Sequence, residues 1–292
     1  MAISKRDLHP GFAVEITGVD MRAPPSVAQV AEIESLIHQY PVVVLPAQDI
    51  TDEQQREFCR PFGELQKSVA SRTNVEARLN EEMTDASNLG KNNKPLEAGD
   101  KRRMNNLGSR RWHTDGSFNR TPVKYSFLSG RIVATSGGET QFADMRAGYD
   151  AVPAEMQDMI EGLVVEHNLL HSRAMAGFPA ATEDEKNTLV PMHQRLVRKN
   201  LRTGRKSLYL SAHASHIVGW PKPEGMMLLY ELTDIATRPE CIYTHTWRTN
   251  DVVLWDNRVT MHRARRHYPE TAPRDMRRVS IIDVDAQKEL AA

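Results

Sequence analysis

The chain has 292 residues, 38 basic and 38 acidic side chains, 40% hydrophobic content and two cysteines. Zero net charge argues against a broad nucleic-acid or membrane-binding face but leaves room for a local positive pocket, and two cysteines are too few for a disulfide framework. No aliphatic run approaches the length of a bilayer span and the opening residues lack a signal-peptide core, so one cytoplasmic domain over 1–292 is expected, with no nucleic-acid or membrane partner.

In chain order, residues 10–20 alternate weakly up to Gly18 and predict a strand and turn. Val30, Ile33, Leu36 and Ile37 keep helical spacing behind a Ser26 cap, and Pro41 stops that helix. Val42 to Leu45 reads as a buried strand, and Thr51 with Gln54 as a capping box opening a helix to about Phe62. Residues 79–111 are polar and without period, which suggests an active-site lid. Tyr125 to Leu128 and Gly130 to Ala134 are two strand-like runs, followed by a Gly137-Gly138 turn. Pro153 suits the first position of a helix carrying Met156, Ile160 and Leu163, and Leu163 to His167 a strand. Residues 171–206 are a second polar, irregular stretch and a second candidate lid segment at the active site. Ser207 to Leu210 is strand-like, and Glu224 to Thr237 helical with Met227, Leu228, Leu232 and Ile235 inward. Ile242 to Trp247, Val252 to Trp255, Val259 to His262 and Val279 to Val284 are short β-type runs. The fold class expected is α+β, mainly β: a double-stranded β-helix (jelly roll) core with flanking helices.

The chemistry gathers at Trp112-His113-Thr114-Asp115-Gly116-Ser117. On an extended segment, residues i and i+2 face the same side, so His113 and Asp115 can grip one metal. His262, far along the chain, is the candidate third ligand. Two imidazoles and one carboxylate suit non-heme Fe(II) with open positions, and also catalytic zinc. Alone, the pair is a weak signal, since roughly one or two His-x-Asp/Glu pairs are expected by chance among 11 histidines and 38 acids.

Context strengthens it. Glu15 to Asp20, Trp112 to Ser117, Ser136-Gly137-Gly138-Glu139-Thr140, Asp144 to Asp150, Ala212 to His216, Trp255-Asp256-Asn257-Arg258 and the closing arginines together resemble the TauD/TfdA group of Fe(II)/2-oxoglutarate-dependent dioxygenases. Asp144-Met145-Arg146-Ala147 and Ala212-His213-Ala214-Ser215-His216 are similar to its herbicide-degrading branch. The resemblance implies Fe(II) on His113, Asp115 and His262, with 2-oxoglutarate and O2 in the remaining positions and ascorbate as reductant in vitro. It implies that Arg274 binds the far carboxylate of 2-oxoglutarate, with Thr140 as a second donor, and that Arg278 binds the substrate's anionic group. His213, His216 and Ser117 are placed in the substrate region. A lysine of that branch has no clean counterpart, and Lys67 and Arg72 are both stand-ins. The implied reaction hydroxylates an aryloxyalkanoic acid such as 2,4-dichlorophenoxyacetate, giving a phenol and glyoxylate with succinate and CO2. A homo-oligomer acting on a small anion is expected. The alternatives are a taurine-type sulfonate dioxygenase, a zinc hydrolase, which leaves Arg274 and Thr140 unexplained, and a non-enzymatic binding protein, which leaves the triad unexplained.

Overall fold

A computed structural model describes residues 3–68, 77–200 and 203–286. It is a mixed α/β fold in which sheet predominates. A seven-stranded sheet runs in the order Ser4–His9, Ala13–Thr17, Val42–Leu45, Val252–Asp256, Val123–Ile132, Asp275–Ile282, Thr84–Asp85. Its neighbours are antiparallel except Ala13–Thr17 beside Val42–Leu45. A second sheet sets Thr140–Asp144 between Ile242–His245 and Thr260–Ala264, all antiparallel.

Val42–Leu45 shows how the sequence layers the molecule. Its side chains alternate, so Val43 and Leu45 join one apolar cluster with Ile33, Ile37 and Phe58 of the outer helices. Val42 and Val44 join another with Phe142 and Trp255, between the two sheets. A strand buried on both faces has no polar alternation to show.

The helices flanking the large sheet start where capping boxes close. Ser26 and Gln29 exchange side chain-to-backbone bonds at the head of Val27–Gln39, and Thr51 and Gln54 do so before Asp52–Cys59. A third apolar cluster packs Met145–Asp150 and Lys222–Ala236 against the outer face of the second sheet. There, a Cβ on Gly148 would come within 2.7 Å of the Ala236 Cβ, so glycine permits the close approach of these helices.

Several expectations change. The two runs between Tyr125 and Ala134 form one strand, Val123–Ile132: Gly130 stays paired with Met276 beneath Trp247, and the irregularity is taken up by a register shift just after it rather than by a break. Pro153 is the N-cap of Ala154–Ile160, and Leu163 lies beyond that helix. Residues 171–206 are largely ordered: helices Leu169–Met175 and Glu183–Thr188 precede strands Met192–Arg195 and Val197–Lys199. Met192–Arg195 joins a three-stranded sheet with Val164–His167 and Ala214–Ile217, so edge pairing organises a stretch with no apolar period. On Lys222–Ala236, Met227 is 65% exposed and Leu229 takes the inward place. Among the described residues, no helix is long and apolar enough to cross a membrane.

Candidate active site

His113 and His262 meet through backbone. The His113 amide donates to the His262 carbonyl at 3.0 Å, and the His262 amide donates back at 2.8 Å. Residues paired this way in an antiparallel ladder carry their side chains on the same face, and the two rings lie 4.2 Å apart. Thr114, between His113 and Asp115, turns the other way and donates to the Leu210 and Thr260 carbonyls. Asp115 therefore returns to the histidine side. Its oxygens lie 3.8 Å from each Nε2, and ligand atoms of all three residues fall within 4.8 Å of one another.

Protonation states follow from surroundings. The Nδ1 of His113 donates to the Arg111 carbonyl at 2.9 Å, leaving the Nε2 lone pair facing inward. Burial pushes the affinity of both imidazoles for a proton down, that of His262 strongly. Burial alone would raise the Asp115 carboxyl, but Arg278 and the two histidines outweigh it and hold its pKa at about 2. Two neutral imidazoles and an ionised carboxylate are the forms that bind a metal cation.

Asp115 is held from both sides. Arg278 Nη1 donates to Oδ1 at 2.5 Å, and Ser126 Oγ donates to Oδ2 at 2.8 Å. Ser126 accepts from the Asn257 side-chain amide at 2.9 Å, and Asn257 Oδ1 accepts from the Trp255 indole at 3.0 Å and from the Asp115 amide at 3.2 Å. Asn257 belongs to a stretch that stood out in the sequence, but its role was not legible. Ser126, in the middle of a strand, gave no signal.

Arg274 is a half-buried cation with no carboxylate partner among the described residues. Two carbonyls, of Ala86 and Gly138, accept from it at 3.4 Å. Burial lowers its pKa to about 10, with Arg110 adding to the effect. A Cβ on Gly138 would sit 3.6 Å from its Nε, and a Cβ on Gly137 only 2.3 Å from the Arg266 carbonyl, so this turn needs its two glycines, both at positive φ. Asn88 clamps the segment before Arg274: it accepts from the Arg274 amide and donates to the Glu270 and Ala272 carbonyls. Thr140 is buried, and its hydroxyl accepts from the Trp247 indole at 3.0 Å. A partly desolvated cation without an anion is suited to capture one from solution.

A cavity of about 330 Å³ opens from His113 and Asp115. Residues 77–79 and 83–87, Leu89, Leu96 and parts of 102–111 contribute to its lining, as do Ser172, Arg173, Ala176 and Phe178 of the second polar stretch. His213 lines it, bonded to Ser172 Oγ at 2.8 Å and edge-on to Phe118 at 4.7 Å. His216 does not. It turns to Ser215 at 2.9 Å and lies 3.9 Å from Glu166, because an antiparallel pairing with a register shift rotates it away from His213. Ser117 is also outside the lining and buried, its carbonyl accepting from Gln194 at 3.0 Å. Lys67 pairs with Glu81 and is mostly exposed, and Arg72 lies outside the described residues. Tyr125, Trp220 and Met175 do not line the cavity. Of the basic residues in the second polar stretch, Arg195 and Arg198 do not line the cavity, and Arg198 is buried against the Tyr209 ring.

Two neutral imidazoles and a carboxylate, open on one side to a cavity, form the triad used by mononuclear non-heme iron oxygenases. The family described as taurine catabolism dioxygenase TauD, TfdA family matches residues 4–280, and the chain belongs to it. It is thus an oxidoreductase of the dioxygenase class. It is 38% identical to the alpha-ketoglutarate-dependent 2,4-dichlorophenoxyacetate dioxygenase of Cupriavidus pinatubonensis, over 97% of this chain and 99% of the relative. The (S)-phenoxypropionate/alpha-ketoglutarate-dioxygenase of Sphingobium herbicidovorans is 32% identical over 87% of this chain and 86% of its own. The crystal structure of AAD-2 in complex with Mn(II) and N-oxalylglycine is 44% identical, covers 98% of both chains and superposes with a TM-score of 0.90.

Proposed function

We propose that the protein is an Fe(II)/2-oxoglutarate-dependent dioxygenase that hydroxylates an aryloxyalkanoic acid such as 2,4-dichlorophenoxyacetate. The two sheets are read as the halves of a double-stranded β-helix, and the chain as one dioxygenase domain. Residues 79–111 serve as the lid, while the 171–206 stretch contributes chiefly through its first helix. His113, Asp115 and His262 are the metal ligands, and bound Fe(II) supplies O2 activation coupled to decarboxylation of the 2-oxo acid. Arg274 takes the far carboxylate of 2-oxoglutarate as a planar bidentate partner, with the Thr140 hydroxyl proton as second donor. Arg278 lines the cavity beside Asp115, with its Nη1 2.5 Å from Oδ1, and we assign it to the substrate's anionic group as well as to steadying that carboxylate. His213 borders the substrate.

The observation that carries the substrate class is the apolar wall beside the triad. Leu79, Met83, Leu89, Phe118, Leu169 and Phe178 line the cavity. A chlorinated aryl ring buries favourably there, at about 25 cal/mol per Å2 of apolar surface. Taurine, a small zwitterion, offers no such surface. The reaction balances as aryloxyacetate, 2-oxoglutarate and O2 giving the 2-hydroxylated acid, succinate and CO2. The hydroxylated product is a hemiacetal that collapses to phenol and glyoxylate.

Enzyme supplied with Fe(II), 2-oxoglutarate and ascorbate should release phenol from 2,4-dichlorophenoxyacetate in step with succinate. Sulfite from taurine with no phenol from any aryloxyacetate would move the substrate class to sulfonates. Turnover with zinc and without oxygen would make the protein a hydrolase.

A further inference from the structure

We infer that Trp247 is a positioning residue for the cosubstrate: its indole N–H commits the Thr140 hydroxyl proton to the far carboxylate of 2-oxoglutarate. This rests on the reading of Thr140 and Arg274 as the anchor of that carboxylate. A hydroxyl has one proton to give and two lone pairs to receive with. The Thr140 hydroxyl receives from Trp247 Nε1 at 3.0 Å and, among the described residues, donates to no protein group. Thr140 is buried, so that proton has no bulk water to turn to. Left to itself, a threonine hydroxyl can swing to a nearby backbone carbonyl. The indole occupies one lone pair and so restricts that rotation.

Tryptophan is the side chain suited to this task. Its N–H donates and never accepts, whereas a serine, glutamine or neutral histidine in its place could take the threonine proton for itself. The bond between Trp247 and Thr140 therefore has one polarity, and the remaining donor of Thr140 faces away from it. Arg274 meets the Gly138 carbonyl two residues before Thr140, which sets both candidate donors on one stretch of chain.

The indole itself is fixed by its surroundings. Trp247 lies just past strand Ile242–His245, whose His245 pairs directly with Thr140. The following turn is tied to the large sheet: the Asn250 amide donates to the Gly130 carbonyl and the Gly130 amide to the Asp251 carbonyl. The Asp251 carboxylate accepts from the Arg248 amide at 3.1 Å and lies 3.2 Å from His245 Nε2. The indole is edge-on to the His245 ring at 4.7 Å. On its other side a Cβ at Gly130 would come within 3.1 Å of Trp247 Cε3, so glycine lets the ring lie close against that strand.

The test is a double-mutant cycle of Trp247→Phe and Thr140→Val, read by calorimetry on Mn(II)-loaded protein. Two ligands are titrated: N-oxalylglycine, and N-methyloxamate, which keeps the metal-binding end and lacks the far carboxylate. Thr140→Val should weaken N-oxalylglycine on the order of ten- to a hundredfold, and Trp247→Phe roughly three- to tenfold. Neither should move N-methyloxamate by more than about twofold, and Trp247→Phe should add nothing in the Thr140→Val background. In turnover, Trp247→Phe should raise KM for 2-oxoglutarate by the same factor and leave kcat and KM for the aryloxy acid unchanged. If Trp247→Phe does not fold, benzothienylalanine at position 247, which keeps the ring shape and lacks the N–H, takes its place in the cycle. Unchanged N-oxalylglycine affinity in the Trp247 variant overturns the inference while the anchor reading stands. So does equal weakening of both ligands, or the same weakening with and without the Thr140 hydroxyl, since either marks a packing role. If Thr140→Val binds N-oxalylglycine as wild type does, the assignment of Thr140 to the anchor falls and this inference with it.

Discussion

At the metal end of the cavity, His113 and His262 are set by reciprocal backbone bonds, and Asp115 by buried Ser126, Asn257 and Trp255. At the outer end, the cationic side chains come from irregular or short helical segments and are held by carboxylates such as Asp100 and Glu185, which are 25% and 35% exposed. Buried hydrogen bonds leave a desolvated group stranded when broken, at about 1–3 kcal/mol each. Exposed ion pairs contribute about 0–1 kcal/mol. The metal end is therefore built to be unchanging, whereas the outer end can be altered side chain by side chain without disturbing the ligands.

Breaking the metal end should have the largest effect. Replacing His113, Asp115 or His262 by Ala should bring succinate release down to assay background, with circular dichroism unchanged. Retained activity in any one of them would remove that residue from the ligand set. Arg274→Ala comes next. Losing a bidentate charged pair should raise the 2-oxoglutarate requirement on the order of a hundredfold or more, with a far smaller change for the aryloxy acid. An unchanged KM for 2-oxoglutarate would place the anchor elsewhere.

The relay sharpens the comparison. Asn257→Ala removes bonds to Trp255, Ser126 and the Asp115 amide and should lower Fe(II) affinity by about ten- to a hundredfold, with Ser126→Ala at the lower end of that range. Anaerobic metal titration reads it, and wild-type affinity in both variants would show that Arg278 alone positions Asp115. A buried histidine behind the cavity offers a probe of stability. Both ring nitrogens of His167 lack a hydrogen-bond partner among the described residues, and burial, reinforced by Arg198, lowers its pKa to about 3. The unfolded chain takes up this proton near pH 6.5 and the folded one only near pH 3. The stability at neutral pH is therefore lost progressively as pH falls through that window, by about a few kcal/mol. His167→Phe should flatten Tm between pH 7 and 4; an unaltered slope would assign it to other groups. The smallest effect belongs to the outer end. Arg173→Ala should change stability by about 0.5 kcal/mol or less, measured by urea denaturation. A loss of several kcal/mol would show that the outer wall is as tightly built as the metal end.

How much of this was legible depends on whether the signal is local. Capping at Ser26 and Thr51, the stop at Pro41 and the Gly137-Gly138 turn involve neighbours in sequence, and each lies where its residues require. The i, i+2 relation of His113 and Asp115 is likewise local. The site was less local than that. His262 could be named as third ligand from its motif context, but only the antiparallel pairing with His113 brings the two rings side by side on one face. The sequence could not show that Arg278 neutralises Asp115, that His216 and Ser117 leave the cavity lining, or that Asn88 holds the segment before Arg274. Each depends on contacts between residues far apart in the chain, or on a register shift that moves every following side chain to the other face of its strand. Composition and spacing specify which faces are buried and which chemistry is available; the pairing of distant strands decides which of those groups meet.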